Sequence, residues 1–184
     1  MGGDKLILYH TSQIEIPVPD ILYGRKNADF GQGFYLTPEY DFTYRWALQD
    51  AIVNKYELDL EGLQVHFFSR NMEWFEYIFR NRRAEDTLDA DVIIGPIAND
   101  TIFDTLGIIS SGFFDSEKAL RLLMIGPEYT QVAVKTTIGA KQLKWIGSDK
   151  VTGVKEYKEL LEKEKDEYQE LFAATLVKLN EDIC

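Results

Sequence analysis

Two glycines that lead directly into a short apolar run are the feature of this sequence that most restricts its local fold. Gly31 and Gly33 precede residues 34–37, which carry aromatic and branched side chains, and Pro38 ends the run. Because glycine has no Cβ, another group can lie directly against the main chain at these two positions. The pattern indicates a place where a ligand meets the backbone, with a tight turn before a half-buried strand as the alternative.

Strand-like and helical patterns are interspersed along the chain. Strands are predicted near residues 5–11, 34–37, 53–58, 63–67, 91–96, 129–135 and 143–146. Helices are predicted near residues 37–51, 71–82, 99–106 and 116–124, and from residue 154 onward. In the first of these helices Thr37 is expected to be the cap, with Phe42 and Trp46 on the inner face. Because the elements do not alternate cleanly as βαβ units, a mixed α+β fold is predicted.

The charge balance restricts the classes of partner. The 184 residues carry a formal net charge of −11 and a sequence pI of about 4.7, so nonspecific binding to nucleic-acid phosphates would oppose the protein's own field. The dense cationic cluster at residues 80–83 lies at the end of a predicted helix, where cations interact favourably with the helix dipole. We expect that cluster to be a solvated helix terminus.

Cysteine usage and hydropathy predict the compartment. Cys184 is the only cysteine, so no intramolecular disulfide can form. No apolar run approaches the roughly 20 residues needed to cross a bilayer, and the first residues do not resemble a signal peptide. We therefore expect a cytoplasmic protein without a membrane partner.

The two histidines differ in their surroundings. His10 closes an early apolar run, whereas His66 lies in an alternating strand and is given no role. With two distant histidines and a single cysteine, we expect no metal site. An isolated histidine is more often a core residue than a catalytic one, so the interpretation of His10 depends on its companions.

Two motifs occur in an order that is typical of one superfamily. Residues 9–12, Tyr-His-Thr-Ser, and residues 30–37, Phe-Gly-Gln-Gly-Phe-Tyr-Leu-Thr, together resemble the signature of the ADP-ribosyltransferases. They resemble in particular the histidine-tyrosine-glutamate branch, which includes the poly(ADP-ribose) polymerases. The resemblance implies a split antiparallel β-sheet that grips NAD between its halves, with flanking helices and a C-terminal helix. We expect an NAD-binding domain over residues 1–150 and a C-terminal helical extension, residues 151–184, packed on the same domain.

The resemblance implies a catalytic set made of His10, Tyr35 and Gln131. The histidine of this branch hydrogen-bonds the NAD ribose, and its tyrosine stacks on the nicotinamide ring. The third member is normally a glutamate, whose charge stabilises the oxocarbenium-like state as nicotinamide departs. Here Gln131 stands at that place, which keeps a hydrogen bond to a ribose hydroxyl and gives up the charge. Polymer synthesis is thereby disfavoured, whereas transfer of a single ADP-ribose or NAD hydrolysis stays open.

Cofactor contacts beyond the histidine and the tyrosine are also implied. Thr11 would present main-chain groups to the nicotinamide amide. The glycines before Tyr35, Gly33 among them, would let the dinucleotide approach, and Phe34 is also expected to belong to the cofactor-binding residues. Thr37 would lend a hydroxyl or line the cleft, with helix capping as the alternative. Arg25 suits the pyrophosphate, because its planar fork can contact two phosphate oxygens.

A second resemblance is to an uncharacterised bacterial family known as domain of unknown function 3990. It rests on residues 19–37 and on residues 95–100, Gly-Pro-Ile-Ala-Asn-Asp, and with the strands already named it covers roughly residues 5–147. Asn99 and Asp100 are expected to cap a helix beside the cleft, with contact to an acceptor as the alternative.

Three functions are open at the level of sequence. Our leading hypothesis is an NAD-dependent mono-ADP-ribosyltransferase with NAD as its substrate and no metal. It would modify a macromolecular acceptor, protein or nucleic acid, as a bacterial toxin or phage-defence effector that has room for a cognate antitoxin. The second is a catalytically weak or inactive module that binds NAD or ADP-ribose, which Gln131 favours. The third is an interaction protein that docks through its charged C-terminal helix.

Overall fold

The described part of the chain folds into two β-sheets with helices packed around them. The structure, a computed structural model, describes residues 4–48, 50–83, 85–98 and 116–181. In those ranges the strands are β1 (Lys5–Ser12), β2 (Phe34–Leu36), β3 (Ile52–Asp59), β4 (Val65–Phe67), β5 (Val92–Pro96), β6 (Thr130–Val134) and β7 (Leu143–Lys150). The α-helices described there are α1 (Met72–Asn81), α2 (Ser116–Leu123), α3 (Thr137–Gln142) and α4 (Val154–Glu181), and short 3₁₀-helices lie at Ile21–Tyr23 and Asp41–Trp46.

The strands pair in a three-stranded and a four-stranded sheet. β1, β3 and β7 form the three-stranded antiparallel sheet, with β3 in the centre. The four-stranded sheet has the order β2, β6, β5, β4; its β4–β5 pair is parallel and its other pairs are antiparallel. A bridge joins the sheets, because the backbone groups of Tyr9 and Thr37 bond to each other at 2.8 and 3.0 Å. The prediction of a mixed α+β fold is confirmed, and the parallel pair departs from a fully antiparallel arrangement.

The four-stranded sheet separates two apolar cores. The inter-sheet core lies between the sheets, and the helix-side core lies between the four-stranded sheet and α1. Each large apolar side chain that is fully buried contributes about 1.5–3 kcal/mol. The inter-sheet core includes Leu8, Tyr56, Leu58, Phe34, Leu36, Val132 and Val134, and the helix-side core includes Phe30, Trp74, Phe75, Ile78, Ile93 and Ala133.

α1 forms where its pattern predicts. The Asn71 side chain caps the helix by accepting a hydrogen bond from the backbone N–H of Trp74 at 3.0 Å. Trp74, Phe75 and Ile78 recur at helical spacing and are buried on the four-stranded sheet. The indole N–H of Trp74 donates to the carbonyl of Pro96 at 3.0 Å, which fixes α1 against the end of β5.

The prediction of a helix over residues 37–51 is wrong. Thr37 is extended and bridges to Tyr9, so a backbone pairing between distant segments replaces the expected helix start. The chain then forms the short 3₁₀-helix Asp41–Trp46. Phe42 is buried as predicted, whereas Trp46, expected on the inner face, is 54% exposed. The helix predicted at residues 99–106, and with it Asn99 and Asp100, lies outside the described residues.

α4 packs along the rest of the chain through one stripe of side chains. Near its start Tyr157 contacts the ring of Tyr44, with 4.8 Å between the ring centroids. Near its end Leu179 is buried against α2. Leu160 and Leu171 are exposed, because each lies one residue away from the positions that face the protein.

Candidate functional site

The glycines before β2 pack against the chain itself. An added Cβ on Gly24 would overlap the carbonyl oxygen of Gly33, and one on Gly33 would come within 2.8 Å of a backbone carbonyl oxygen of β6. Gly31 has a φ of +76°, a left-handed conformation that favours glycine, and lies beside the ion pair of Lys135 and Asp86. Segments of the chain itself therefore take up the space beside these glycines, and the ligand contact predicted at Gly31 and Gly33 stays a prediction.

Tyr35 closes the glycine loop with its hydroxyl group. The hydroxyl accepts a hydrogen bond from the backbone N–H of Phe30 at 2.9 Å and donates one to the carbonyl of Gly31 at 2.7 Å. Burial is the main reason why the pKa of Tyr35 lies far above its ordinary value, so the hydroxyl stays protonated. The ring packs, partly buried, on the helix-side core. The loop thus holds the tyrosine ring in one orientation.

His10 lies at the junction between the two sheets. Its Nδ1 is 2.7 Å from the carbonyl oxygen of Tyr35, and since a carbonyl can only accept, we assign the proton to Nδ1. The ring also packs on Phe34, with 4.4 Å between the ring centroids. Burial lowers the pKa of His10, and the bond to the carbonyl opposes this in part, so the imidazole is neutral at pH 7. This tautomer leaves Nε2 as an acceptor for a hydroxyl group.

A buried polar network surrounds Asp29, which precedes the glycine loop. One carboxylate oxygen of Asp29 accepts hydrogen bonds from Nε and Nη2 of Arg82 at 2.9 and 2.6 Å. The other accepts from the backbone N–H of Ala98 at 3.1 Å and from Nε2 of Gln131 at 3.0 Å. Nε2 of Gln131 also donates to the carbonyl of Pro96 at 3.2 Å. This Asp29 network ties the loop to α1, β5 and β6.

The Asp29 network accounts for the glutamine at position 131. Gln131 is 8% exposed, and its amide nitrogen faces the Asp29 carboxylate. A glutamate in the same place would bring two carboxylates together, which is unfavourable unless one of them is protonated. An amide nitrogen has two hydrogens to donate, and Asp29 and Pro96 accept both.

The basic cluster at residues 80–83 was expected to be a solvated helix terminus, and for Arg82 this expectation is wrong. Its side chain is 10% exposed and that of Asp29 is 11% exposed, so the two form a buried ion pair and Arg82 is not part of a solvated terminus. The residues are 53 positions apart in the chain, and no local pattern pairs them. The signal that the sequence did contain was an aspartate directly before the glycine loop.

The three predicted catalytic residues lie close in the fold but on two faces of the four-stranded sheet. Side chains alternate along a strand, so Tyr35 and its neighbour Ala133 belong to the helix-side core while Phe34 belongs to the inter-sheet core. Gln131, two residues from Ala133, shares the face of Tyr35. The His10 ring packs on Phe34, on the opposite face, and reaches Tyr35 through its carbonyl group.

The other predicted cofactor residues are spread around this junction. The Thr11 hydroxyl donates to a carbonyl of the Asp41–Trp46 helix at 2.8 Å, and Arg25 is exposed in its loop. Thr37 is buried, and its hydroxyl donates to Glu39 at 2.5 Å. Glu39 was not predicted from the sequence as a site residue, yet it also accepts from the first backbone N–H of β6 at 3.4 Å. It places a carboxylate beside the strand that carries the glutamine.

A separate groove of about 230 Å³ lies between β4 and α1. It is lined in part by aromatic and charged side chains: His66, Phe68, Glu73, Glu76, Tyr77 and Arg80. Among the described residues no three side chains of the metal-binding types are grouped to hold an ion. None of the helices described is both long enough and apolar enough to cross a membrane.

Comparison with known proteins supports one part of the sequence interpretation. The family model described as "Protein of unknown function (DUF3990)" matches residues 6–145, which contain β2 to β6, β1 without its first residue, and the first three residues of β7. The resemblance to that family is confirmed. No curated protein matches the chain, and no solved structure matches it.

Proposed function

We propose that this chain, which belongs to the DUF3990 protein family, is an NAD-dependent mono-ADP-ribosyltransferase that acts on a macromolecular acceptor. In that reaction the bond between nicotinamide and the ribose breaks, and a nucleophile of the acceptor bonds to the ribose carbon. The proposal includes a role as a bacterial toxin or phage-defence effector that a cognate antitoxin holds in check.

The observation that carries the proposal is the junction of the two sheets. β1 and β2 meet through the bridge between Tyr9 and Thr37, and β2 pairs with β6. These are the strands that carry His10, Tyr35 and Gln131. Residues that the ADP-ribosyltransferase resemblance selects from distant parts of the sequence thus come from three neighbouring strands, which supports an NAD cleft at this junction.

The local chemistry of His10 and Tyr35 also supports the proposal. A neutral His10 with an unprotonated Nε2 suits a hydrogen bond from a ribose hydroxyl. Tyr35 is held by two hydrogen bonds of its hydroxyl group, so little conformational entropy would be lost when a planar ring stacks on it.

Labelled NAD tests the transferase. The protein is incubated with NAD labelled in its adenine ring, with and without cell extract, and nicotinamide release and labelled products are measured. His10→Ala is expected to lower nicotinamide release about tenfold or more, which corresponds to the loss of one hydrogen bond in the transition state. His66→Ala is the matched control, because it removes the other histidine, and it is expected to release nicotinamide at the wild-type rate. A wild-type protein that neither releases nicotinamide nor transfers label would contradict the proposal.

A module that binds NAD or ADP-ribose without turnover is the second candidate, and the bonding of Gln131 favours it. Its amide hydrogens are engaged by Asp29 and Pro96, and its side chain lies on the opposite face of the sheet from the His10 ring. Calorimetry that detects NAD binding while no nicotinamide is released would support this candidate. If folded Gln131→Glu protein turns over NAD, the wild type is instead a transferase whose catalytic glutamate has been replaced by an uncharged residue.

A further inference from the structure

The stripe of α4 that faces the protein is interrupted by a carboxylate. The described inward positions recur every three or four residues, and most of them carry apolar or aromatic side chains: Val154, Tyr157, Leu161, Tyr168, Phe172 and Leu179. Glu164 takes the position between Leu161 and Tyr168. A packing stripe is ordinarily apolar, and a break in such a pattern is expected where a chain has a functional constraint.

Glu164 meets Arg45, whose guanidinium lies against two aromatic rings. The Cζ atom of Arg45 is 4.8 Å from the ring centroid of Phe42 and 4.6 Å from that of Tyr129. Nη2 of Arg45 donates to the Glu164 carboxylate, and to the Tyr129 hydroxyl at 3.2 Å. Nε of Arg45 has no hydrogen-bond partner among the residues that the structure describes. The arginine is therefore stacked on two rings. On the edge formed by Nε and Nη2, only Nη2 donates a hydrogen bond to a described residue.

A phosphate group fits that edge better than the glutamate does. Nε and Nη2 of a guanidinium point the same way and can bond two oxygens of one anion at once. Glu164 accepts from Nη2, and from the Tyr129 hydroxyl at 3.4 Å, through a single oxygen, Oε1, and leaves Nε without an acceptor among the described residues. A tetrahedral phosphate has oxygens for Nε, for Nη2 and for the Tyr129 hydroxyl. Trp46, 54% exposed and 4.7 Å from Phe42 between ring centroids, adds an open aromatic surface next to the site.

We propose that Arg45 binds the phosphate group of a ligand and that Glu164 occupies this site until the ligand arrives. The Glu164 carboxylate pairs with the guanidinium in the absence of ligand, and a phosphate has to displace that one side chain. α4 itself stays in place, because Tyr157 and Leu179 hold its two ends. The competition lowers the apparent affinity for phosphate by the fraction of time that the glutamate occupies the site. The site lies beyond the residues assigned to NAD above and takes phosphorylated ligands as a class.

Calorimetry with inorganic pyrophosphate tests the proposal on the full chain. Glu164→Gln is expected to bind pyrophosphate about three- to five-fold more tightly than the wild type, the factor that a partly exposed ion pair contributes. Glu167→Gln is the matched control, because Glu167 lies on the same helix and pairs with Lys163 on its exposed side at 3.8 Å. It is expected to keep the wild-type affinity. Arg45→Gln is expected to bind pyrophosphate about tenfold or more weakly than the wild type, and any binding left at Arg25 is not changed by this substitution.

The double variant Arg45→Gln/Glu164→Gln keeps the test valid if the single arginine change impairs folding. It removes both charges together; circular dichroism is expected to report a wild-type helix content, and calorimetry a pyrophosphate affinity about tenfold or more below that of the wild type. Equal affinities of the wild type and Glu164→Gln, or a wild-type affinity in either arginine variant, would overturn the proposal and leave a purely structural ion pair. The probe is pyrophosphate, so this test does not depend on NAD turnover. If binding depends on Arg45 and no NAD turnover is detected, the proposed transferase is refuted and the phosphate site is retained.

Discussion

Replacing Gln131 by glutamate introduces the carboxylate that the ADP-ribosyltransferase resemblance leads one to expect, and the structure predicts that this change destabilises the fold. The amide nitrogen of Gln131 is 3.0 Å from a carboxylate oxygen of Asp29. Position 131 is almost fully buried, so water cannot screen a second charge there. The variant exchanges an attractive hydrogen bond for two like charges.

The magnitude follows from that distance. Two unit charges 3 Å apart repel by about 5 kcal/mol at an effective dielectric constant of about 20. Arg82 offsets part of the repulsion, since its guanidinium already bonds Asp29. The lost hydrogen bond adds about 1 kcal/mol. We expect a net loss of about 3 kcal/mol at pH 8, which is a large part of the roughly 5–15 kcal/mol that stabilises a typical domain.

The loss should depend on pH in a defined direction. Repulsion raises the pKa of the introduced carboxyl in the folded state above its unfolded value of about 4.3. Below the unfolded pKa the group is neutral in both states and the repulsion is absent. As the pH rises the unfolded chain loses the proton first, so the penalty grows until the folded pKa is passed.

Urea denaturation at pH 5 and pH 8 measures this dependence. Gln131→Met is the matched control, because it has a similar volume and no charge, and it is expected to lose about 1–2 kcal/mol equally at both pH values. A glutamate variant that is as stable as the wild type at pH 8, or that shows the same deficit at both pH values, would refute the contact between the amide and Asp29.

Three other substitutions have defined outcomes. Gly24→Ala is expected to cost about 1–3 kcal/mol because its methyl group would overlap the Gly33 carbonyl, whereas Gly62→Ala, with a φ of +76° and open space around it, should cost only the roughly 1 kcal/mol of a left-handed residue. Equal losses in urea would contradict the packing explanation. Tyr35→Phe is expected to lower stability by about 1–3 kcal/mol, since a loop N–H loses its acceptor. It is expected to weaken NAD binding by less than about tenfold, since the ring remains and only the bonds that orient it are lost; a variant that loses affinity at unchanged stability would argue the reverse. His10→Phe should reduce the fall in stability below pH 6.5, because burial lowers the pKa of His10 and the unfolded chain takes up the proton first as the pH falls. If the melting temperatures of variant and wild type fall by the same amount between pH 7.5 and pH 5.5, this explanation is contradicted.

Elements with a local signal were predictable from the sequence. α1 has a capping asparagine and an apolar stripe, and β3 alternates between partly buried and buried residues from Lys55 to Asp59, so both appear where expected. Features that depend on pairing between distant segments were not. Thr37 followed by proline is a good local helix start, but the pairing with Tyr9 holds it extended. α3 has only six residues, too few for a periodic stripe to be recognised.

In the candidate site, too, single residues could be predicted from the sequence, whereas their distant partners could not. Gln131 was singled out by the resemblance to the ADP-ribosyltransferases, but its partners were not, because Asp29 lies 102 residues away in the chain. Arg82 sits in a run of cations that, taken alone, is typical of solvent. Burial and ion pairing of this kind are set by the sheet order, which brings the start of β6 and the end of β5 to the loop before β2. No pattern within a short window contains that order.

The pairing of β2 also has a consequence for synthesis of the chain. β2 ends at Leu36, and its strand partner β6 begins only at Thr130. At elongation rates of about 5–20 residues per second, the ribosome takes roughly 5–20 s to make the residues between them. During that time β1 and β3 are complete and able to pair, while Phe34 and Leu36 lack the strand that later covers them. The strand that organises the junction is therefore also a segment of the nascent chain that is exposed to aggregation or to a chaperone.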